Sequence, residues 1–383
     1  MKKLAIIGAG TAGCLTVSHF LRFTDWAIDW YIDSSIKPQA VGEGSNLVLP
    51  KALYNNINFT ILDLEKIDGT FKTGLKKQNW GKINDTFYHL FVAGNVGYHF
   101  NAVKLQNYLR HIFESNPRIT TIDKKVVDHN IDSDFILDCS GSPHSLTDKF
   151  YKAEHIPVNS VYVTQCMWEY QKFNYTLTIA RPYGWVFGIH LQNRCAIGYM
   201  YNNNITTLED IKTDVINIFK EYELNPSNTT NSFSFKNYYR KNNYSKTIAY
   251  NGNSSFFLEP LEATSIHFMD ICNRCSYDVF NNNISAEEAN YYYLNKIREI
   301  ENVIMLHYLA GSSWDTKFWN MAENLAKNNI ATAKNNTDFI NIINLAKNYN
   351  INKNNQLEYG TWDLYSFPIN INALGIWNQL EHL

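Results

Sequence analysis

Lys3-Leu4-Ala5-Ile6-Ile7-Gly8-Ala9-Gly10-Thr11-Ala12-Gly13 joins a short, β-rich apolar run to three glycines spaced Gly-x-Gly-x-x-Gly. Beyond it Leu15, Val17, Phe20 and Leu21 recur with a helical period. A second extended run, Ala27 to Ile32, closes on Asp33, twenty residues past Gly13. Strand, glycine triplet, helix, strand and acid in this order specify a dinucleotide-binding turn. Each residue type has a physical reason: Gly8 permits the tight turn, Gly10 lets backbone approach a diphosphate, and Gly13 lets helix and strand pack closely. The helix amino terminus, with Thr11 and Ala12, then faces the anion, and Asp33 stands where a ribose-binding carboxylate is expected. The turn alone does not separate FAD from NAD. A second landmark is Asp134-Phe135-Ile136-Leu137-Asp138-Cys139-Ser140-Gly141, an apolar strand whose small terminal residues Ser140 and Gly141 leave room for a cofactor.

Composition limits what such a turn serves. The 383 residues carry 34 basic and 36 acidic side chains, a net charge of −2 that gives no pull toward nucleic acid or anionic membranes. No apolar stretch reaches the roughly 18 residues of a membrane span. Met1-Lys2-Lys3 before the apolar run imitates a signal peptide, but glycines interrupt it early and a buried strand is expected instead. Six scattered cysteines suit a reduced cytoplasm better than a disulfide framework. Cys272 and Cys275 are spaced as in redox or metal motifs, but no second pair completes a metal site, and two thiols on one helix are expected. His99 and His307 lack ligand spacing and are assigned to packing, so no metal is expected. Aromatic residues reach 15% while charged ones fall to 18%; most reflect core and composition bias, and a minority is expected around a planar ligand.

Further blocks follow in order: Val41-Gly42-Glu43-Gly44-Ser45, Gly69-Thr70-Phe71-Lys72-Thr73-Gly74 with Asn79-Trp80, and Tyr98-His99-Phe100-Asn101-Ala102. After Asp138-Cys139-Ser140-Gly141 come Leu258-Glu259-Pro260-Leu261-Glu262-Ala263-Thr264-Ser265, Leu306-His307-Tyr308 and Asp315-Thr316-Lys317-Phe318-Trp319. With the glycine turn, these blocks resemble the flavin-dependent halogenases of the tryptophan halogenase type over residues 1 to about 320. The resemblance implies an α/β fold in which an FAD-binding Rossmann-type parallel sheet is interleaved with an antiparallel substrate-side sheet, followed by carboxy-terminal helices. It implies a catalytic domain at 1–320 and a short helical portion at 321–383 packing on it.

The resemblance also implies the chemistry. Reduced FAD, delivered by a separate NAD(P)H-dependent flavin reductase, works with O2 and a halide ion to make hypohalous acid for an electron-rich small-molecule acceptor. Lys72 matches the catalytic lysine and Glu262 the glutamate that works with it. Glu43 joins Gly8, Gly10, Thr11, Ala12, Gly13, Asp33, Ser140 and Gly141 as cofactor residues, while Thr264 and Ser265 match the halide position. An ammonium polarises hypohalous acid, or forms a haloamine with it, and a carboxylate orients the lysine or accepts a ring proton. The family's Trp-x-Trp-x-Ile-Pro signature corresponds to Trp185-Val186-Phe187-Gly188-Ile189-His190, so Trp185, Phe187 and His190 are the substrate-side candidates. Phe187 replaces a tryptophan, and His190 replaces the proline, restoring an N–H and freeing the backbone. Cys14 stands where the family commonly has tryptophan. The stretch after Trp319 is short for the family, implying a lid that is small or supplied by a neighbouring subunit of a homo-oligomer. These departures leave an FAD monooxygenase on the same scaffold, or a flavin-binding protein without turnover, as the alternatives.

Overall fold

The computed structural model describes residues 1–36, 42–92, 94–349 and 357–381. Val41, part of one family block, lies outside the described residues. The chain divides into two compact units, each built from three separate segments. The first holds 1–70, 97–152 and 238–295; the second holds 71–96, 153–237 and 296–383.

The first unit centres on a five-stranded, wholly parallel sheet in the order Ile248–Tyr250, Phe135–Asp138, Lys3–Ile7, Ala27–Ile32, Ile119–Asp123. Leu4, Ala5, Ile6 and Ile7 are all buried, because a parallel sheet is covered on both faces and its central strand reads as a continuous apolar run. The helix Thr11–Phe23 follows this strand directly. The helix Ala102–Glu114 starts at Asn101, whose side chain accepts from the Val103 and Lys104 amides and so fixes the first turn. The helix Thr264–Phe280 also belongs here and carries both Cys272 and Cys275 in its buried surface.

The second unit holds a seven-stranded sheet in the order Asn225–Ser234, Ser160–Met167, Arg194–Tyr201, Gly184–His190, Thr176–Arg181, Gly74–Gln78, Thr86–Leu90. Its pairings are antiparallel except for Thr176–Arg181 against Gly74–Gln78, which run parallel. A helix, Leu208–Glu221, covers one face through Ile211, Val215 and Ile218, packed against Leu177, Ile179, Val186 and Ile197. The carboxy-terminal helices Lys317–Ala333, Thr337–Lys347 and Ser366–Leu374 lie in this unit.

The expected α/β class, with a parallel nucleotide sheet, a second sheet and terminal helices, is the one observed. Residues 34–97 contain the helix Val48–Ile57 and the strands Gly74–Gln78 and Thr86–Leu90. The strand Gly74–Gln78 has a single apolar residue, so its pairing partners rather than its pattern define it. Ile248–Tyr250 extends the parallel sheet beside Phe135–Asp138.

Candidate active site

In the first unit the three glycines of the turn meet different surroundings. Gly8 has φ +102°, and a Cβ there would lie 2.3 Å from the Cys139 carbonyl oxygen. A Cβ on Gly13 would lie 2.1 Å from the Gly8 carbonyl oxygen. Both positions are closed by backbone. A Cβ on Gly10 would meet nothing within 4 Å, and the same holds at Gly141, where φ is +101°. Two glycines therefore serve internal packing, and two border open space where a ligand can approach. The helix Thr11–Phe23 begins at Gly10 with no side-chain cap and no acid in its first turn, which leaves its terminal amides available to an anion.

Thr11 links this turn to other elements. Its hydroxyl donates to Glu43 Oε1 at 3.3 Å and accepts from Gln106 Nε2 at 3.2 Å. Burial pushes the Glu43 carboxyl up to about 7, and the Thr11 hydrogen bond offsets this only in part. Ala12 is packed by Gly252, which sits at φ +60° with its missing Cβ 2.5 Å from the Ala12 Cβ. Asp33 accepts from the amide and hydroxyl of Ser35, a local turn at the end of its strand. The Ser140 amide donates to Asp138 Oδ1 at 2.9 Å. Burial alone would raise Asp138, but hydrogen bonds from His129 and Ser140 hold it below the usual carboxylate range.

Glu43 gives a pH signature. Its folded-state value near 7 lies above the usual 4.5, so its stabilising contribution is fully present below about 4.5 and is lost as pH rises through about 7. Apo protein melted across pH 4.5 to 7.5 should lose stability on the alkaline side relative to Glu43→Gln, whose difference curve isolates this carboxyl. Parallel curves for the two proteins would contradict the assignment.

The 258–265 block is locally strained. Glu262 and Ala263 both adopt left-handed backbone, at φ 67° and 53°, immediately before the helix Thr264–Phe280. Neither is glycine, and each such residue costs on the order of 1 kcal/mol, a pattern that clusters at functional sites. Glu262 is buried. Thr264 is fully buried, and its Oγ1 makes no hydrogen bond with the described residues. Ser265 is half-buried in the first helical turn, where amides lack intrahelical partners.

Lys72, Trp185, Phe187 and His190 belong to the second unit. Lys72 is 1% exposed, although Phe71 before it is 38% exposed; its Nζ lies 5.7 Å from the centre of the Phe91 ring. Trp185 and Phe187 share one face of their strand, their ring centres 6.2 Å apart, and Trp185 is 6.4 Å from Trp80. Phe187 occupies the space above Gly198, where a Cβ would come within 2.0 Å of the ring. Strand alternation turns His190 to the opposite face, beside Trp168 and Phe173. Burial lowers His190 to about 3; the Lys72 charge adds to this, and a hydrogen bond with the Asn174 backbone opposes it. His307 is engaged on both nitrogens, by Lys77 Nζ at 2.7 Å and the Val303 carbonyl at 2.9 Å.

Gln106, Gly252, Phe91 and Gly198 were not singled out by the sequence reading as neighbours of these residues. The available signal was weak: Gln106 is a polar residue on the apolar face of its helix.

A model of the tryptophan halogenase family matches residues 3–117 and 93–359. The tryptophan 6-halogenase of Streptomyces albogriseolus is 22% identical over 258 residues, covering 59% of this chain and 48% of the relative. The chain thus aligns with about half the length of that curated relative. Among solved structures, a flavin-dependent halogenase from Xanthomonas campestris superposes with a TM-score of 0.80 at 18% identity, over 98% of this chain and 89% of the other. A tryptophan halogenase from Shewanella frigidimarina gives 0.78 at 17% identity, over 98% and 89%. At these identities the structural likeness establishes the fold. The span of the family match establishes more: the chain belongs to the tryptophan halogenase family of flavin-dependent halogenases.

Proposed function

We propose that this protein is an FADH2-dependent halogenase that uses O2 and a halide to make hypohalous acid, relayed by Lys72 to an electron-rich, aromatic acceptor. The observation that carries the reading is the burial of Lys72 inside a family-matched segment. An ammonium at 1% exposure is costly to hold and does not serve solubility. The names of the relatives supply the substrate class: several are halogenases of tryptophan.

The residues fit a bound flavin dinucleotide. The open backbone at Gly10 and Gly141 leaves room for it, and the uncapped helix at Thr11, Ala12 and Gly13 suits its diphosphate. Gly8 sets the turn, Asp33 is assigned the ribose hydroxyls, and Glu43 and Ser140 border the cofactor. When bound in reduced form, the flavin supplies the reducing chemistry through which O2 and halide yield hypohalous acid. The unsatisfied Thr264 hydroxyl and the Ser265 amide are assigned to the halide. Lys72 Nζ donates to the oxygen of hypohalous acid and so makes the halogen electrophilic; Glu262 takes the ring proton. Trp185 and Phe187 are assigned to the substrate side, with His190 acting from behind their strand. A separate flavin reductase supplies reduced FAD, residues 1–320 form the catalytic domain with 321–383 packed on it, and the setting is cytoplasmic.

The test combines the protein with FAD, a flavin reductase, NADH, oxygen and chloride or bromide, and screens aromatic acceptors by mass spectrometry. Halogenated product that requires halide, flavin and protein is expected. Oxygenated product formed without halide would instead establish the monooxygenase alternative, which the His190 and Phe187 exchanges favour.

Thr264 offers a narrower check. Thr264→Val keeps the shape and removes a hydroxyl that has no partner among the described residues, so stability should hold or rise by about 1 kcal/mol. The KM for bromide should rise about tenfold, the value of one lost hydrogen bond to an anion, with FAD affinity unchanged. An unchanged bromide KM would remove Thr264 from the halide site.

A further inference from the structure

The helix Ala102–Glu114 sends two side chains, one turn apart, to the glycine turn. Gln106 reaches Thr11, and Arg110 donates from Nη2 to the carbonyl oxygen of Ala9, between the first two glycines, at 3.2 Å. The guanidinium also lies against Cys14; burial raises that thiol to about 12, and Arg110 pulls it the other way. Arg110 Nε is buried with no oxygen partner among the described residues. No described carboxylate forms an ion pair with this guanidinium.

This arrangement is unusual in its charge. A guanidinium cannot shed its proton to escape burial, so a half-buried one without a counter-charge is a standing cost. The carboxyl that shares the turn, Glu43, is held toward its neutral form and contributes little compensation. The adjacent helix terminus adds partial positive charge rather than cancelling it. A cation, an acid whose charge burial disfavours and open amides converge on one loop, an arrangement that favours an anionic ligand.

We infer that Arg110 is the charged determinant of dinucleotide affinity, supplying from behind the glycine turn the positive charge that holds the cofactor's diphosphate. The inference rests on reading the turn as a dinucleotide site. Arg110 acts on the diphosphate that FAD shares with ADP, and it fixes the Ala9 peptide while doing so.

Titration calorimetry of the full-length protein with FAD and with ADP tests this. Arg110→Met keeps the aliphatic stem and removes the charge. It should weaken FAD and ADP by the same factor, about tenfold, as expected for one charge-assisted contact. The salt dependence of both affinities should flatten, and Arg110→Lys should retain most of the wild-type behaviour. Apo Arg110→Met should melt within a few degrees of wild type, because loss of the bond to Ala9 is offset by relief of an unbalanced charge. If that variant does not fold, Arg110→Gln, which keeps a donor without charge, must show the same loss. Wild-type FAD and ADP affinities in the neutral variants would overturn the inference, as would a loss confined to FAD. If wild type binds neither ligand, the dinucleotide reading itself fails, which is a separate outcome.

Discussion

Replacing Lys72 by methionine should abolish halogenation, lowering product formation by about 1,000-fold while leaving flavin binding and the fold intact. The side chain is 1% exposed, so Lys72→Ala would open a cavity and confuse chemistry with packing. Methionine fills similar volume without a charge and removes an ammonium held over the Phe91 ring. Melting temperature should therefore stay level or rise. Three measurements decide the matter together: halogenated product by mass spectrometry, hypohalous acid release by a chemical trap, and thermal melting. Loss of product with hypohalous acid still released fits a relay role. Unchanged product would mean that free hypohalous acid is the agent and that Lys72 has no part in delivery.

The second large effect separates two glycines that look equivalent in the motif. Gly13→Ala places a methyl group 2.1 Å from the Gly8 carbonyl oxygen and 2.8 Å from its carbon, both backbone atoms that have no rotamer to yield. It should destabilise the protein by about 3 kcal/mol and remove measurable FAD binding. Gly10→Ala meets nothing within 4 Å, and its φ of −72° suits alanine. Its stability should fall by no more than about 1 kcal/mol, the usual difference at a helix cap. FAD affinity should nevertheless drop at least tenfold, because the added methyl group occupies the space left for the ligand. Denaturant unfolding and flavin titration on both variants check the pair. If Gly10→Ala binds FAD like wild type, the diphosphate does not approach that peptide.

The parts of this protein legible in its sequence are those with a local cause. Gly8, Gly10 and Gly13, the helical period to Leu21 and the acid at 33 each follow from sterics within a few residues, and the parallel sheet follows from them. The strand Gly74–Gln78 was not legible, because buried Lys77 breaks the apolar pattern and is accommodated by distant partners, His307 and Asn370. Lys72 and Glu262 are singled out by the family's motifs alone; the burial of one and the left-handed backbone of the other have no local signal. Arg110 was missed because nothing within its helix says that its carbonyl partner is Ala9, about a hundred residues earlier.

The division of the chain bears on how the protein comes to be folded at all. Each unit is assembled from three stretches that alternate along the polypeptide, and the parallel sheet is completed only when Ile248–Tyr250 joins it. An emerging amino-terminal half has the glycine turn but lacks an edge strand, so its apolar β segments stay unsatisfied while synthesis continues. Native contacts of such long sequence separation form slowly. The chain is consequently one that cannot be trimmed into an autonomous flavin module, and its yield in a foreign host should respond to slower synthesis and chaperone supply more than to surface substitutions.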